Sequence, residues 1–109
     1  MEVFFADGHL AALCGSHRGL RAKYGDAGAK KVLQRLRLLR QAEDLDEIMA
    51  GPGKCHPLKG AYYQDCHALR LHGGFRLVFR LMTDKEKAEA GVITQNSALV
   101  IQIIDYHEG

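Results

Sequence analysis

Seven residues of this chain could move protons around a phosphate. His56 and Lys59 stand in a short run, His56-Pro57-Leu58-Lys59-Gly60. Arg70 and Arg76 flank a Gly73-Gly74 pair, and Asp105, Tyr106 and His107 follow a long apolar run. Cleavage of RNA through its own 2′-hydroxyl would use such a set. A base takes the hydroxyl proton, cations balance the charge building on the phosphate, and an acid protonates the leaving 5′-oxygen. Histidine suits either proton role because an unperturbed imidazole titrates at about 6.5, near working pH. Arginine grips phosphate oxygens in pairs and lysine supplies a point charge. The plainer reading of the same residues is a turn entering a strand, two solvent-facing strand arginines and a frayed end.

These residues need elements to hold them. Residues 2–5 read as a short opening strand. Leu10, Leu13, Cys14, His17, Leu20 and Tyr24 fall on one helical stripe, which Gly25 should end. Asp26 is placed to cap a second helix whose apolar face is Ala29, Val32, Leu33, Leu36 and Leu39. Leu38 points away from that stripe, to be covered by a neighbour or to meet a partner. Gly51-Pro52-Gly53 breaks the chain, and two alternating runs follow on either side of Gly73-Gly74. A three-residue loop, His72-Gly73-Gly74, sets Arg70 opposite Arg76 and Leu71 opposite Phe75, so that each face is uniform. One face is then apolar, for the helices, and the other carries Arg70, Arg76 and Arg80. Several of the reactive residues would gather on this uncovered face. Residues 83–97 read as a polar connection, and Leu99 to Ile104 as a central strand delivering Asp105 to its end.

Composition bounds the possibilities. The chain has 109 residues, 47% apolar and 26% charged, which suits one globular domain spanning 1–109. No apolar run approaches the length of a membrane span, so no membrane partner is expected. Met1 is followed by Glu2-Val3-Phe4-Phe5 with no basic leader region, and the three cysteines lack framework spacing; both point to a reducing cytoplasm. Net charge is only +2, yet Arg18 to Arg40 holds eight Lys/Arg residues against one acid, Asp26. Such local basic surfaces attract polyanions, although a charge run is more often a solvated face. Cys55-His56 and Cys66-His67 form a Cys/His quartet on paper. Neighbouring strand residues point to opposite faces, so neither pair chelates easily and no metal is expected. Cys14 reads as core; His9, His17, His67 and His72 read as structural or surface residues. There is no phosphate-cradling glycine loop, nucleophile elbow or dinucleotide fingerprint, and no cofactor is expected.

The order of the motifs resembles one family. Tyr24-Gly25 precedes a basic, leucine-rich helix (Ala29-Lys30-Lys31-Val32-Leu33-Gln34-Arg35-Leu36) and an acidic Glu43-Asp44-Leu45 stretch. His56-Pro57-Leu58-Lys59-Gly60, Leu69-Arg70-Leu71 and Phe75-Arg76-Leu77-Val78-Phe79 follow, and Val100-Ile101-Gln102-Ile103-Ile104-Asp105-Tyr106-His107 comes last. This is similar to the plasmid-maintenance killer proteins, the HigB-like branch of the RelE toxin superfamily.

The resemblance implies an α+β fold with two N-terminal helices packed on one face of a small antiparallel sheet. It implies the toxin of a type II toxin–antitoxin pair, an endoribonuclease that cuts mRNA in the ribosomal A site without metal. Its partners would be mRNA, the ribosome and a cognate helix-turn-helix antitoxin. By analogy, Lys59, Arg70 and Arg76 would stabilise the phosphate in the transition state. His56, Asp105 and His107 would share proton transfer, and Tyr106 would stack on a base or position it. Lys30, Lys31, Arg35, Arg37 and Arg80 would contact RNA or ribosome. Which histidine is base and which is acid stays open, as does the alternative of a degenerate, non-catalytic toxin that only binds antitoxin, RNA or ribosome. A third reading is a regulator whose basic helix binds nucleic acid directly. Two departures stand out: Tyr62-Tyr63 follow the His-Pro-Leu-Lys-Gly motif where small or charged residues are more usual, and the 83–97 connection is long.

Overall fold

The computed structural model describes residues 1–92 and 95–105. Strand β1 (Glu2–Phe5) is the opening strand that the sequence predicts. Helix α1 (Gly8–Cys14) follows, capped by Asp7, whose carboxylate accepts from the Leu10 amide at 2.7 Å. The single helix expected from Leu10 to Tyr24 is two helices. Gly15 closes α1, and Ser16 starts α2 (His17–Gln41) by accepting from the Gly19 amide at 2.9 Å. A serine hydroxyl competes for backbone donors and so sets a helix start in the middle of an unbroken apolar stripe. Helix α2 is itself broken at Gly25, whose φ of 77° and ψ of 174° redirect the chain where the sequence places an end.

Beyond the break, Ala29, Val32, Leu36 and Leu39 are buried, as their spacing predicts. Leu38 is half-buried under the start of the next loop, where a Cβ added to Gly51 would lie 3.3 Å from its Cδ1. Helix α3 (Leu45–Ala50) is a single turn and a half that Asp44 caps, and it sends Ile48 into the core.

The remaining strands are β2 (His56–Pro57), β3 (Cys66–Arg70), β4 (Phe75–Leu81) and β5 (Ser97–Asp105). Their order is β1-β5-β4-β3-β2. Three of the four pairings are antiparallel, but β1 runs parallel to β5, which corrects the expectation of a purely antiparallel sheet. Parallel neighbours need a long crossover, and everything from α1 to β4 supplies it. The β3–β4 hairpin has the expected register, with Arg70 directly opposite Arg76. Its loop is closed by the Leu71 amide donating to the Phe75 carbonyl at 3.0 Å, and Gly73 takes the left-handed turn at φ 63°.

Leu69, Leu77, Phe79, Ala98 and Val100 pack with Leu20, Val32, Leu36 and Leu39 into one core between helices and sheet. The 83–97 connection is not structureless. It holds a helix, α4 (Asp84–Glu89), started by a reciprocal cap between Thr83 and Glu86. Among the described residues, no helix is long and apolar enough to cross a membrane.

Candidate nucleic-acid site on the second sheet face

Strand alternation puts Cys66, Ala68 and Arg70 on the sheet face away from the helices, with Arg76, Val78 and Arg80 opposite them. The register extends this face in both directions. His56 lies opposite Ala68, Gln102 opposite Val78, and Ile104 opposite Arg76. Two rows result: His56-Ala68-Val78-Gln102, and about 7 Å further along the strands, Arg70-Arg76-Ile104.

The face is not bare, against the sequence expectation. Ala68 and Val78 are fully buried although they point away from the core. The segment after β2 reaches this face at Gln102, opposite Val78. Gly60, at φ 100°, starts a 3-10 turn over Ala61–Tyr63, and the Tyr63 hydroxyl accepts from Gln102 Nε2 at 2.8 Å. Tyr63 is thus anchored at the far end of the first row. Tyr62 stands edge-on to it, ring centroids 4.9 Å apart at 87°, and is itself 74% exposed. Composition hides these three residues from a catalytic search. The visible signals are the paired tyrosines after the motif and Gln102 as the one polar residue in the apolar run from Leu99 to Ile104.

Arg70 is exposed and Arg76 half-exposed, and neither is ion-paired among the described residues. Arg76 Nη1 donates to its neighbour Phe75's carbonyl at 2.9 Å, which steadies one side of its guanidinium. Like charges directly across a strand pair repel. Their juxtaposition here makes an anion the natural third member.

His56 is exposed at the sheet edge, with Nδ1 3.0 Å from the Lys54 carbonyl. A carbonyl only accepts, so Nδ1 carries the proton and Nε2 is the nitrogen left to take or give one. Lys54 holds that carbonyl in place from a left-handed backbone, φ 48°. Lys59 is exposed in the loop just beyond β2.

Other candidates sit elsewhere. Asp105 is opposite Phe75 and therefore shares the helix-side face with it, not the arginine face. The cause is a β-bulge between Val78 and Phe79. It inserts one extra residue into β5 and turns everything after it over. Tyr106 and His107 lie outside the described residues. Arg35, read from sequence as an RNA contact, is buried and donates from Nε to the Arg70 carbonyl at 2.9 Å. Burial pushes its pKa down. Arg80, the other contact on the strand face, is already held by Glu86 through two 2.7 Å bonds. Lys30 and Arg37 line a groove on α2 with His17, Arg21 and Leu33, on the helical side of the molecule. They form a second basic surface that does not converge with the arginine pair; Lys31 is half-buried on the same helix.

Cys55 is part of the helix-side core and Cys66 lies on the opposite face, so the Cys/His quartet is divided by the sheet. Desolvation raises the Cys55 thiol to about 11.

No protein-family model and no curated protein matches the chain. Among solved structures it is similar to a YoeB/ParE toxin from Agrobacterium tumefaciens, with a TM-score of 0.63 over 98% of this chain and 100% of that one. Sequence identity is 17%, so the likeness is one of fold. The chain shares the α+β fold of that toxin structure.

Proposed function

We propose that this chain is the toxin of a type II toxin–antitoxin pair, of the HigB-like branch, and that it cuts mRNA in the ribosomal A site. The observation that carries the reading is the Arg70–Arg76 pair, opposed without a counter-ion among the described residues on the sheet face that also bears His56. A phosphate between two guanidiniums would relieve their repulsion and be held by several N–H donors. As charge builds on its oxygens, those donors bind it more strongly, which is the condition for lowering a barrier. His56, with Nδ1 committed to Lys54, would take the 2′-hydroxyl proton at Nε2. Lys59 would add charge from the loop. The shared toxin fold supports this reading, and an antitoxin is the partner it implies.

The placement of Asp105 on the other face favours a second reading, in which the catalytic set is incomplete and the chain binds RNA, ribosome or antitoxin without cutting. Brief expression followed by mapping of mRNA 5′ ends separates the two. New ends inside translated codons, absent with Arg70→Ala and with His56→Ala, are expected. Growth arrest without new ends would establish the binding module, and arrest unchanged by both substitutions would remove this face from the reaction.

A further inference from the structure

We infer that Tyr62 is a base-stacking residue that sets which nucleotide sits beside the phosphate held by Arg70 and Arg76. The inference rests on the ribonuclease reading above and adds a specificity determinant to it.

Tyr62 is 74% exposed, the most exposed large apolar side chain among the described residues. Exposed aromatics on loose loops are common and signify little. This one is held. Gly60 and its φ of 100° begin the 3-10 turn, the Tyr63 amide donates to the Gly60 carbonyl at 3.1 Å, and the Gln64 amide to Ala61 at 3.4 Å. Tyr63 packs at right angles to the Tyr62 ring, and its own hydroxyl is tied to Gln102 of β5. The tie spans 39 residues of sequence. Tyr63 therefore works as a buttress, and Tyr62 keeps its other surface to solvent.

Its surroundings suit a nucleic acid better than a protein partner. Gln102 lies one row from Arg70 and Arg76 on the same face, and Lys59 is three residues before Tyr62. An aromatic ring tied to the same sheet face as a pair of cations is an arrangement that can hold unpaired nucleotides: charge for the backbone, a flat apolar surface for the base. Every base has a π-face, so such a platform selects by stacking strength, and purines stack best.

The test is a cycle of protein and RNA changes. Single-turnover cleavage is measured on ribosomes carrying mRNA whose nucleotides around the cut are replaced, one at a time, by an abasic residue. For the unchanged protein, one abasic position should slow cleavage roughly tenfold or more. Tyr62→Ala should slow cleavage of the intact mRNA by a similar factor, and on that abasic mRNA it should cause no further loss. Tyr62→Phe should cleave normally, since the ring and not the hydroxyl is used. A merely structural role for Tyr62 would give losses that multiply at every position, and that overturns the inference. So does unchanged cleavage by Tyr62→Ala, including the case where only antitoxin neutralisation suffers. In each of these cases the unchanged protein still cuts, so the ribonuclease reading stands alone. If it does not cut at all, both fall together.

Discussion

The Arg35 guanidinium reaches across from α2 and donates from Nε to the main-chain oxygen of Arg70 at 2.9 Å. The Arg70 amide donates to Gly53 at 2.8 Å. Both backbone polar groups of Arg70 are therefore fixed while its side chain stands in solvent. Arg35→Leu should leave the Arg70 carbonyl without its partner and cost about 1–3 kcal/mol. Growth arrest should weaken with it. Arg37→Ala, exposed on the same helix, should shift stability by less than about 0.5 kcal/mol. Urea unfolding of the two variants measures the difference.

Gly53 is squeezed into the same junction. Its φ is 104°, and an added Cβ would come 2.9 Å from Arg35 Nε and 3.0 Å from Leu69 Cδ2. Gly53→Ala should be destabilising by more than about 1 kcal/mol, because left-handed strain and the close contacts act together. A thermal midpoint unchanged from the parent would show that the 51–53 loop can move aside.

The Arg70–Arg76 pair should trade stability for binding. Arg70→Gln removes one of two opposed charges and should leave stability unchanged or raise it by about 0.2–1 kcal/mol. Cleavage on programmed ribosomes should fall roughly 100-fold or more. Parallel loss of stability would mark the pair as structural instead.

The Arg80–Glu86 pair predicts an acid-sensitive junction between β4 and α4. Hydrogen bonds from Arg80 and from the Thr83 amide hold the Glu86 carboxyl at about 2, well below its ordinary 4.5. A lowered carboxylate contributes stability above its unfolded value and loses it as pH falls through the folded one. The contribution should thus be whole above pH 4.5 and fade towards about pH 2. Glu86 is 30% exposed, so solvent screens the pair and the effect should be modest. Thermal midpoints of the parent should fall over this window more than those of Glu86→Gln.

The hairpin could be read from sequence because two alternating runs and a double glycine allow only one register with uniform faces. Strand β5 could be read as buried and central because its run is almost wholly apolar. That same run concealed the bulge: with no alternation, one extra residue leaves no trace, and the side of Asp105 was set by pairing alone. The division at Gly15-Ser16 was masked by an apolar stripe that continues through it. Helix α4 had a readable signal, Thr83 followed three residues later by Glu86, inside a segment whose polarity suggests a loop. Contacts such as Tyr63 with Gln102, or Arg35 with Arg70, join distant parts of the chain and carry no local signature.

The parallel pairing of β1 with β5 bears on the order in which the arginine face is completed. Glu2–Phe5 align with residues from Ser97 to Val100, so this ladder closes only once those residues, more than ninety positions later, have been made. Long closures are slow to nucleate and late to form. Strand β5 also supplies Gln102, which anchors Tyr63 over the arginine face. During synthesis Tyr62, Tyr63 and the hairpin with its arginines emerge first, while the Gln102 anchor for Tyr63 awaits strand β5. The order of assembly is a timer: the finished surface forms only after residues 97–102 have been made and have joined β1 and Tyr63.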